Sequence, residues 1–260
     1  MHKQIEFILS PMTDLVRQAS ASIACLKGGI EAYPISEYVL QSLFLKMTGF
    51  QEQKMKCICW ELATHDYDYR YHRVLKGSIG ECSSYNDKVS VVGDLVNAVS
   101  RIKRGFRIGE FTSNIDSGNL ATELYSFYEQ TGHVGWMDHA YRQFRAFAWS
   151  SMGGECMRIK ARDKLFGTCD RCGNKGACPV YLVDRKSNAL DALFNAAVYS
   201  HRNQCAHNLL SQQRNRPSFE RLIEQDDLEE NYFIRFMLLL MIDDVVVRLF
   251  REWYAIVAER

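Results

Sequence analysis

The chain has 260 residues and a mass of 30.0 kDa, enough to bury the core of one large domain or two modest ones. A hydrophobic share of 47% with 24% charged residues is that of an ordinary globular protein and excludes disordered, collagen-like and fibrous classes. With 32 basic against 31 acidic side chains the net charge is +1, which excludes a global basic field, so any contact with nucleic acid must come from local patches.

The first ten residues lack the basic, apolar and small-residue regions of a signal peptide, and the expected location is the cytoplasm. Only four prolines occur, and apolar residues recur at spacings of three and four, so the expected fold is all-α, a helical bundle. Ile5, Ile8, Leu9, Met12, Leu15, Val16 and Ala19 form the first helical stripe. Tyr38, Val39, Ser42, Leu43 and Met47 form a second after Pro34, with Gly49 as its expected stop. A third helix is expected from Gln51 to about His65, and a fourth from Val89 to Arg104 with Val91, Val92, Leu95, Val96, Val99 and Ile102 on one side, ended by Gly105.

Glycine, serine and asparagine from Arg107 to Gly118, and again loop-like composition from Thr131 to Gly135, mark a boundary. Residues 1–130 then read as an N-terminal helical segment, either a continuation of the same bundle or a separate module. Residues 131–260 read as a helical domain with a cysteine-rich insertion at 167–180. In this second part, helical patterns cover Asp138 to about Phe166, with a break at Gly153 and Gly154, and Ser187 to about Leu210. Asp226, three residues before Glu229, resembles a capping box ahead of a strongly apolar last helix. Its most apolar run, Phe236 to Ile242, is followed at once by Asp243 and Asp244, too short to span a bilayer, so no membrane partner is expected.

Polar groups interrupt the Ser187–Leu210 pattern at Tyr199-Ser200-His201-Arg202-Asn203-Gln204-Cys205-Ala206-His207-Asn208. At about 100° per residue, Asn203 and His207 share nearly one helix face, while Arg202 stands roughly 140° from His207, and both can point into one broad groove. An imidazole moves protons near neutral pH, and a guanidinium holds a phosphate by two hydrogen bonds. These are the groups that RNA cleavage without a metal requires: one to deprotonate a ribose 2′-hydroxyl, one to protonate the departing 5′-oxygen, and a cation for the charge growing on phosphorus oxygens. One histidine cannot easily perform both transfers, and a symmetric dimer would supply two.

The segment Arg202-Asn203-Gln204-Cys205-Ala206-His207 resembles the Arg-x4-6-His signature of the HEPN superfamily, including the common Asn after the Arg. The resemblance covers six residues directly and implies a helical, often dimeric ribonuclease of a toxin–antitoxin, abortive-infection or CRISPR-associated system. It implies catalytic roles for Arg202 and His207, a supporting one for Asn203, an RNA substrate, and an antitoxin or defence-system protein as a further partner. Position 209 is Leu, whereas toxins paired with a nucleotidyltransferase antitoxin usually carry Tyr two residues after the His, which speaks against that form of control. The absence of acidic residues from Ala192 through Ser218 suits a phosphate ligand, with Arg214 and Arg216 as substrate contacts. One competing expectation has Arg202 and His207 as helix-surface residues paired with the acidic stretch Asp226–Glu230; another is a non-catalytic helical scaffold in which the same surface recognises RNA or a protein and the cysteine loop shapes that interface.

Nine cysteines, an odd number without a regular framework, fit reduced thiols and a metal site better than secreted disulfides. Cys169-Asp170-Arg171-Cys172-Gly173 is a Cys-x2-Cys-Gly turn, with Cys178 following after five intervening residues. Such a turn holds structural zinc, since two thiolates face one ion while the backbone wraps around them. Cys156 is the first choice for the fourth ligand, with His201 and Cys205 as alternatives; the Cys178-Pro179 pair keeps an iron–sulfur reading in reserve. No His-Glu-x-x-His pattern, phosphate-binding loop, dinucleotide fingerprint or Gly-x-Ser-x-Gly elbow is present, so zinc-hydrolase, nucleotide-hydrolase and serine-hydrolase chemistry lose support. The run His65-Asp66-Tyr67-Asp68-Tyr69-Arg70-Tyr71-His72-Arg73 interleaves aromatics and cations. It reads either as a surface for unpaired bases or, more commonly for such a run, as a helix end with packed tyrosines and solvated charges. Arg101, Lys103, Arg104 and Arg107 make a small basic turn that either touches RNA or complements a helix C-terminus.

Overall fold

A computed structural model of the chain describes residues 3–25, 33–75, 82–107, 111, 117–129, 194–207 and 232–259. All regular structure among these residues is helical, as expected for an all-α chain. The helices are α1 (Lys3–Leu9), α2 (Thr13–Ala24), α3 (Tyr33–His65), α4 (Tyr67–Leu75), α5 (Tyr85–Ile102), α6 (Ser117–Glu129), α7 (His201–His207) and α8 (Tyr232–Ala258); a π-helical stretch, Asn195–Ser200, leads into α7.

The single N-terminal stripe is two helices. Pro11 has no N–H to donate and pushes the residue before it out of helical geometry, so the chain breaks at Ser10–Met12. There the Ser10 hydroxyl donates to the Phe7 carbonyl at 2.6 Å. Conversely, the two helices expected on either side of Gly49 are one. α3 runs through Gly49 as a rod about 50 Å long. One glycine costs only about 1 kcal/mol in a helix interior, a loss that packing along both flanks overrides. Tyr38, assigned above to the apolar stripe, faces outward at 70% exposure, and the buried face of α3 is instead Leu40, Leu43, Phe44, Met47, Met55, Ile58 and Leu62.

α5 starts four residues earlier than its apolar stripe suggests. The Ser84 hydroxyl accepts from the Asp87 N–H at 3.1 Å and the Asp87 carboxylate accepts from the Ser84 N–H, a capping box with Asp in the place of the usual Glu. Its expected stripe is the one that packs: Val91, Val92, Leu95 and Val99 are buried, and the turn after Ile102 closes through Gly105 in the left-handed region.

α8 is the central element. Every residue from Tyr232 to Leu240 is buried, which requires neighbours on all sides, and α1, α3, α5, α6 and the π-helical stretch provide them. Residues from Ile5 to Trp253 therefore share one core. No helix among the described residues is long and apolar enough to cross a membrane.

Within that core lies an ion pair. Lys54 Nζ of α3 stands 2.8 and 3.0 Å from the two carboxylate oxygens of Asp243 on α8, and donates to the Ser10 carbonyl at 2.8 Å. The Met12 N–H also donates to Asp243. Carbonyl and N–H on either side of Pro11 are thus taken up by opposite charges. Burial pushes the Lys54 ammonium down and the Asp243 carboxyl up, and each partner pulls the other back. Lys54→Met leaves a buried carboxylate without its cation and is expected to cost about 3–5 kcal/mol in urea unfolding, whereas Lys54→Met/Asp243→Asn recovers most of it. Equal losses in the single and double variants would contradict this account of the pair.

Candidate functional site around Arg202

The site is built where α7 meets α3 and α5. Upstream, in the π-helical stretch, the Ala197 oxygen accepts from Arg235 Nε of α8 at 2.9 Å. The stretch is thereby fastened to the central helix, and regular α-helix resumes at His201.

Arg202 and Asn203 come next, both half-buried. Arg202 Nη2 meets Glu52 Oε2 of α3 at 3.1 Å, with a quarter of the arginine side chain exposed and 12% of the glutamate. Arg202 Nη1 lies 3.5 Å from Asn203 Oδ1, a long contact that orients rather than binds. Among the described residues Arg202 pairs with Glu52; the acidic stretch 226–230 considered above lies outside them.

A second cation approaches from α5. Lys88 is buried, donates to the Cys82 carbonyl at 2.9 Å and sits 5.7 Å from the centre of the Phe194 ring. Cys82 has φ 56°, a left-handed conformation costly for a residue with a Cβ, and the lysine bond helps hold it there. Burial brings the Lys88 ammonium down to about 8, with Glu52 raising it and Arg202 lowering it further. Around Lys88 the carboxylates of Glu52 and Asp87 oppose the charges of Lys88 and Arg202, and the exposed quarter of the Arg202 side chain is what the neighbourhood offers an anionic oxygen.

Of the other residues singled out in the sequence, His207 is the last residue of α7, and the placement of its side chain lies outside the described residues. Arg214 and Arg216, and the expected zinc ligands Cys156, Cys169, Cys172 and Cys178, also lie outside them. No group of three or more metal-ligating side chains occurs among the described residues. The two alternative fourth ligands are core residues of α7: His201 Nε2 lies 3.4 Å from Cys205 Sγ and 3.4 Å from the Tyr232 hydroxyl, and its ring packs 5.0 Å from that of Phe44.

Glu52 and Lys88 escaped the sequence reading. Glu52 is 150 positions from Arg202, and no spacing rule links them. The available signal was local: Gln51, Glu52 and Lys54 place three polar residues within the apolar repeat of α3, where a buried stripe has no use for charge unless something pairs with it. Compared with protein-family models, curated proteins and solved structures, the chain matches none of them.

His201 gives the site's surroundings a pH dependence. Burial, and secondarily the Arg235 charge, lowers its imidazole from the ordinary 6.5 to about 3. The folded chain therefore keeps His201 neutral where the unfolded chain protonates it, and stability falls as pH drops from 6.5 towards 3. Between pH 7.5 and pH 5 this residue alone is expected to remove about 2 kcal/mol from the unfolding free energy. His201→Phe should lessen the acid sensitivity of urea midpoints by that amount; an unaltered dependence would mean that the imidazole is not held neutral.

Proposed function

We propose that the chain is a metal-independent endoribonuclease of the HEPN type, in which Arg202 and His207 act from α7 and Asn203 supports them. The observation that carries the reading is the setting of Arg202: a guanidinium steadied by Glu52, still a quarter exposed, with Lys88 as a second cation behind it. An arginine so held meets a phosphate with its orientation already fixed.

In the proposed reaction His207 takes the proton from a ribose 2′-hydroxyl as its oxygen attacks phosphorus. The bond to the 5′-oxygen breaks, a second imidazole returns a proton to that oxygen, and the products are a 2′,3′-cyclic phosphate and a 5′-hydroxyl. Arg202 stabilises the charge on the non-bridging oxygens in between. The second imidazole is His207 of another copy, so the enzyme acts as a homodimer with a composite site. Arg214 and Arg216 hold the RNA on either side of the cut. Such an activity suits a toxin–antitoxin or anti-phage system, with a partner protein that restrains or triggers it, and the expected location is the cytoplasm.

The Arg202–Glu52 contact favours one other reading. A half-buried ion pair tethers α7 to α3 whether or not anything is cleaved, as in a non-catalytic RNA- or protein-binding scaffold. The decisive measurement is cleavage of total cellular RNA in EDTA by the wild type, Arg202→Ala and His207→Ala, with the new ends mapped. The expected result is cyclic phosphate and 5′-hydroxyl ends from the wild type and at least a hundredfold slower cleavage by either variant. No cleavage by the folded wild type, with Arg202→Ala and Glu52→Gln lowering the thermal midpoint alike, would assign the pair to the scaffold.

The same proposal includes a structural zinc held by Cys169, Cys172, Cys178 and Cys156, supported by the Cys-x2-Cys-Gly spacing. Protein purified without chelator should carry one zinc per chain by elemental mass spectrometry, lost in Cys169→Ser/Cys172→Ser. A metal-free wild type, or retention of the metal by that variant, would remove zinc from this cysteine cluster.

A further inference from the structure

α4 has two unlike faces. Tyr69 and Arg73, one turn apart, point inward: the Tyr69 hydroxyl donates to Asp94 Oδ2 of α5 at 3.0 Å and accepts from Arg73 Nε at 3.1 Å, while Arg73 also bonds the Asp94 carboxylate. At the start of the helix, Asp66 accepts from the Tyr69 N–H at 2.9 Å and from Arg101 Nη1 of α5 at 2.6 Å. The helix is therefore fixed along its inner side.

The outer face carries Tyr67, Arg70 and Tyr71. Tyr67 is 70% and Tyr71 55% exposed, and the Arg70 guanidinium lies 5.3 Å from the centre of the Tyr67 ring. Packed tyrosines, the commoner expectation for this run, describe Tyr69 but not its two neighbours. Of the nearby carboxylates, Asp66 and Asp94 are taken by Arg101, Arg73 and Tyr69, Asp68 is exposed about 60° around the helix from Tyr71, and Arg70 is the exposed cation between the two rings.

We propose that this outer face of α4 binds single-stranded RNA, with bases stacked on Tyr67 and Tyr71 and a phosphate at Arg70. Aromatic rings interleaved with arginine meet both halves of a nucleotide, the flat base and the anionic backbone. The ring spacing selects unpaired strands. Tyr67 and Tyr71 are separated by about 6 Å along the helix axis, wider than the roughly 3.4 Å between bases in a duplex strand. Two successive bases must splay apart to use both rings, which an unpaired strand can do. This binding surface stands independently of cleavage at Arg202.

The test uses the full chain and a fluorescent 2′-O-methyl oligouridine dodecamer, which lacks the 2′-hydroxyl that cleavage requires. In anisotropy titrations at low salt the wild type should bind; Tyr67→Ala/Tyr71→Ala should weaken binding at least tenfold, while Tyr67→Phe/Tyr71→Phe stays within about twofold because the rings remain. Arg70→Gln should flatten the dependence of affinity on salt. Equal affinity of the wild type and the double alanine variant overturns the proposal, as does failure of the wild type to bind. Sedimentation of the same proteins gives the remaining alternative: a dimer lost only in the double alanine variant would assign the face to a second copy and overturn it too. A wild type that binds through Tyr67 and Tyr71 yet cuts no RNA would defeat the cleavage reading alone, and cleavage with unaltered oligouridine binding in the alanine variant would defeat this one alone.

Discussion

Three polar residues within one turn in the middle of α3 hold the bundle together. Gln51 donates to the Leu239 carbonyl of α8 at 2.8 Å, Glu52 holds Arg202 of α7, and Lys54 holds Asp243 of α8 together with the Ser10 carbonyl. Apolar burial drives these helices together but leaves their register loosely determined, because aliphatic surfaces slide at little cost. A buried charge has one acceptable position. Once Lys54 and Asp243 are withdrawn from water, moving α3 by a turn against α8 would separate them in a medium that does not forgive it. The candidate site borrows this constraint: Glu52 is fixed by its neighbours on both sides, and through it so is Arg202.

The junction of α7 with α8 uses a similar device with the opposite chemistry. His201, Cys205 and Tyr232 form a buried group in which burial lowers the imidazole and raises the thiol and the phenol, so all three are neutral near pH 7. Such a group packs as a core contact without placing a charge among apolar neighbours. The polar residues of α7 thus divide into a neutral set turned to the core, His201 and Cys205, and a set turned to solvent and charge, Arg202 and Asn203.

Much of the helical content was readable from the apolar repeats, and α5 follows its stripe closely. What misled was local punctuation. Pro11 breaks the first stripe although the repeat runs on through it, because periodicity records only which residues are buried. Gly49 does not end α3, because one glycine is a weak signal against tertiary contacts on both flanks. For the site, the Arg202–His207 spacing was visible within one segment, whereas Glu52 and Lys88 come from other helices and could be matched to Arg202 only in three dimensions. Tyr67 and Tyr71 were visible as residues, but which tyrosines of the run turn outward depended on Asp94, which engages Tyr69.

The contacts that satisfy the break at Pro11 also set an order of events. Ser10 waits for Lys54, 44 positions on, and Lys54 waits for Asp243, 189 positions beyond it. α1, α2 and the cation on α3 all precede the anion in the chain, so the junction cannot be closed until α8 has been made. Contacts so distant in sequence form slowly, since a long loop must close before they return any energy. α1 and α2 can pack on α3 before then, yet the polar lock at Pro11 closes only when α8 arrives.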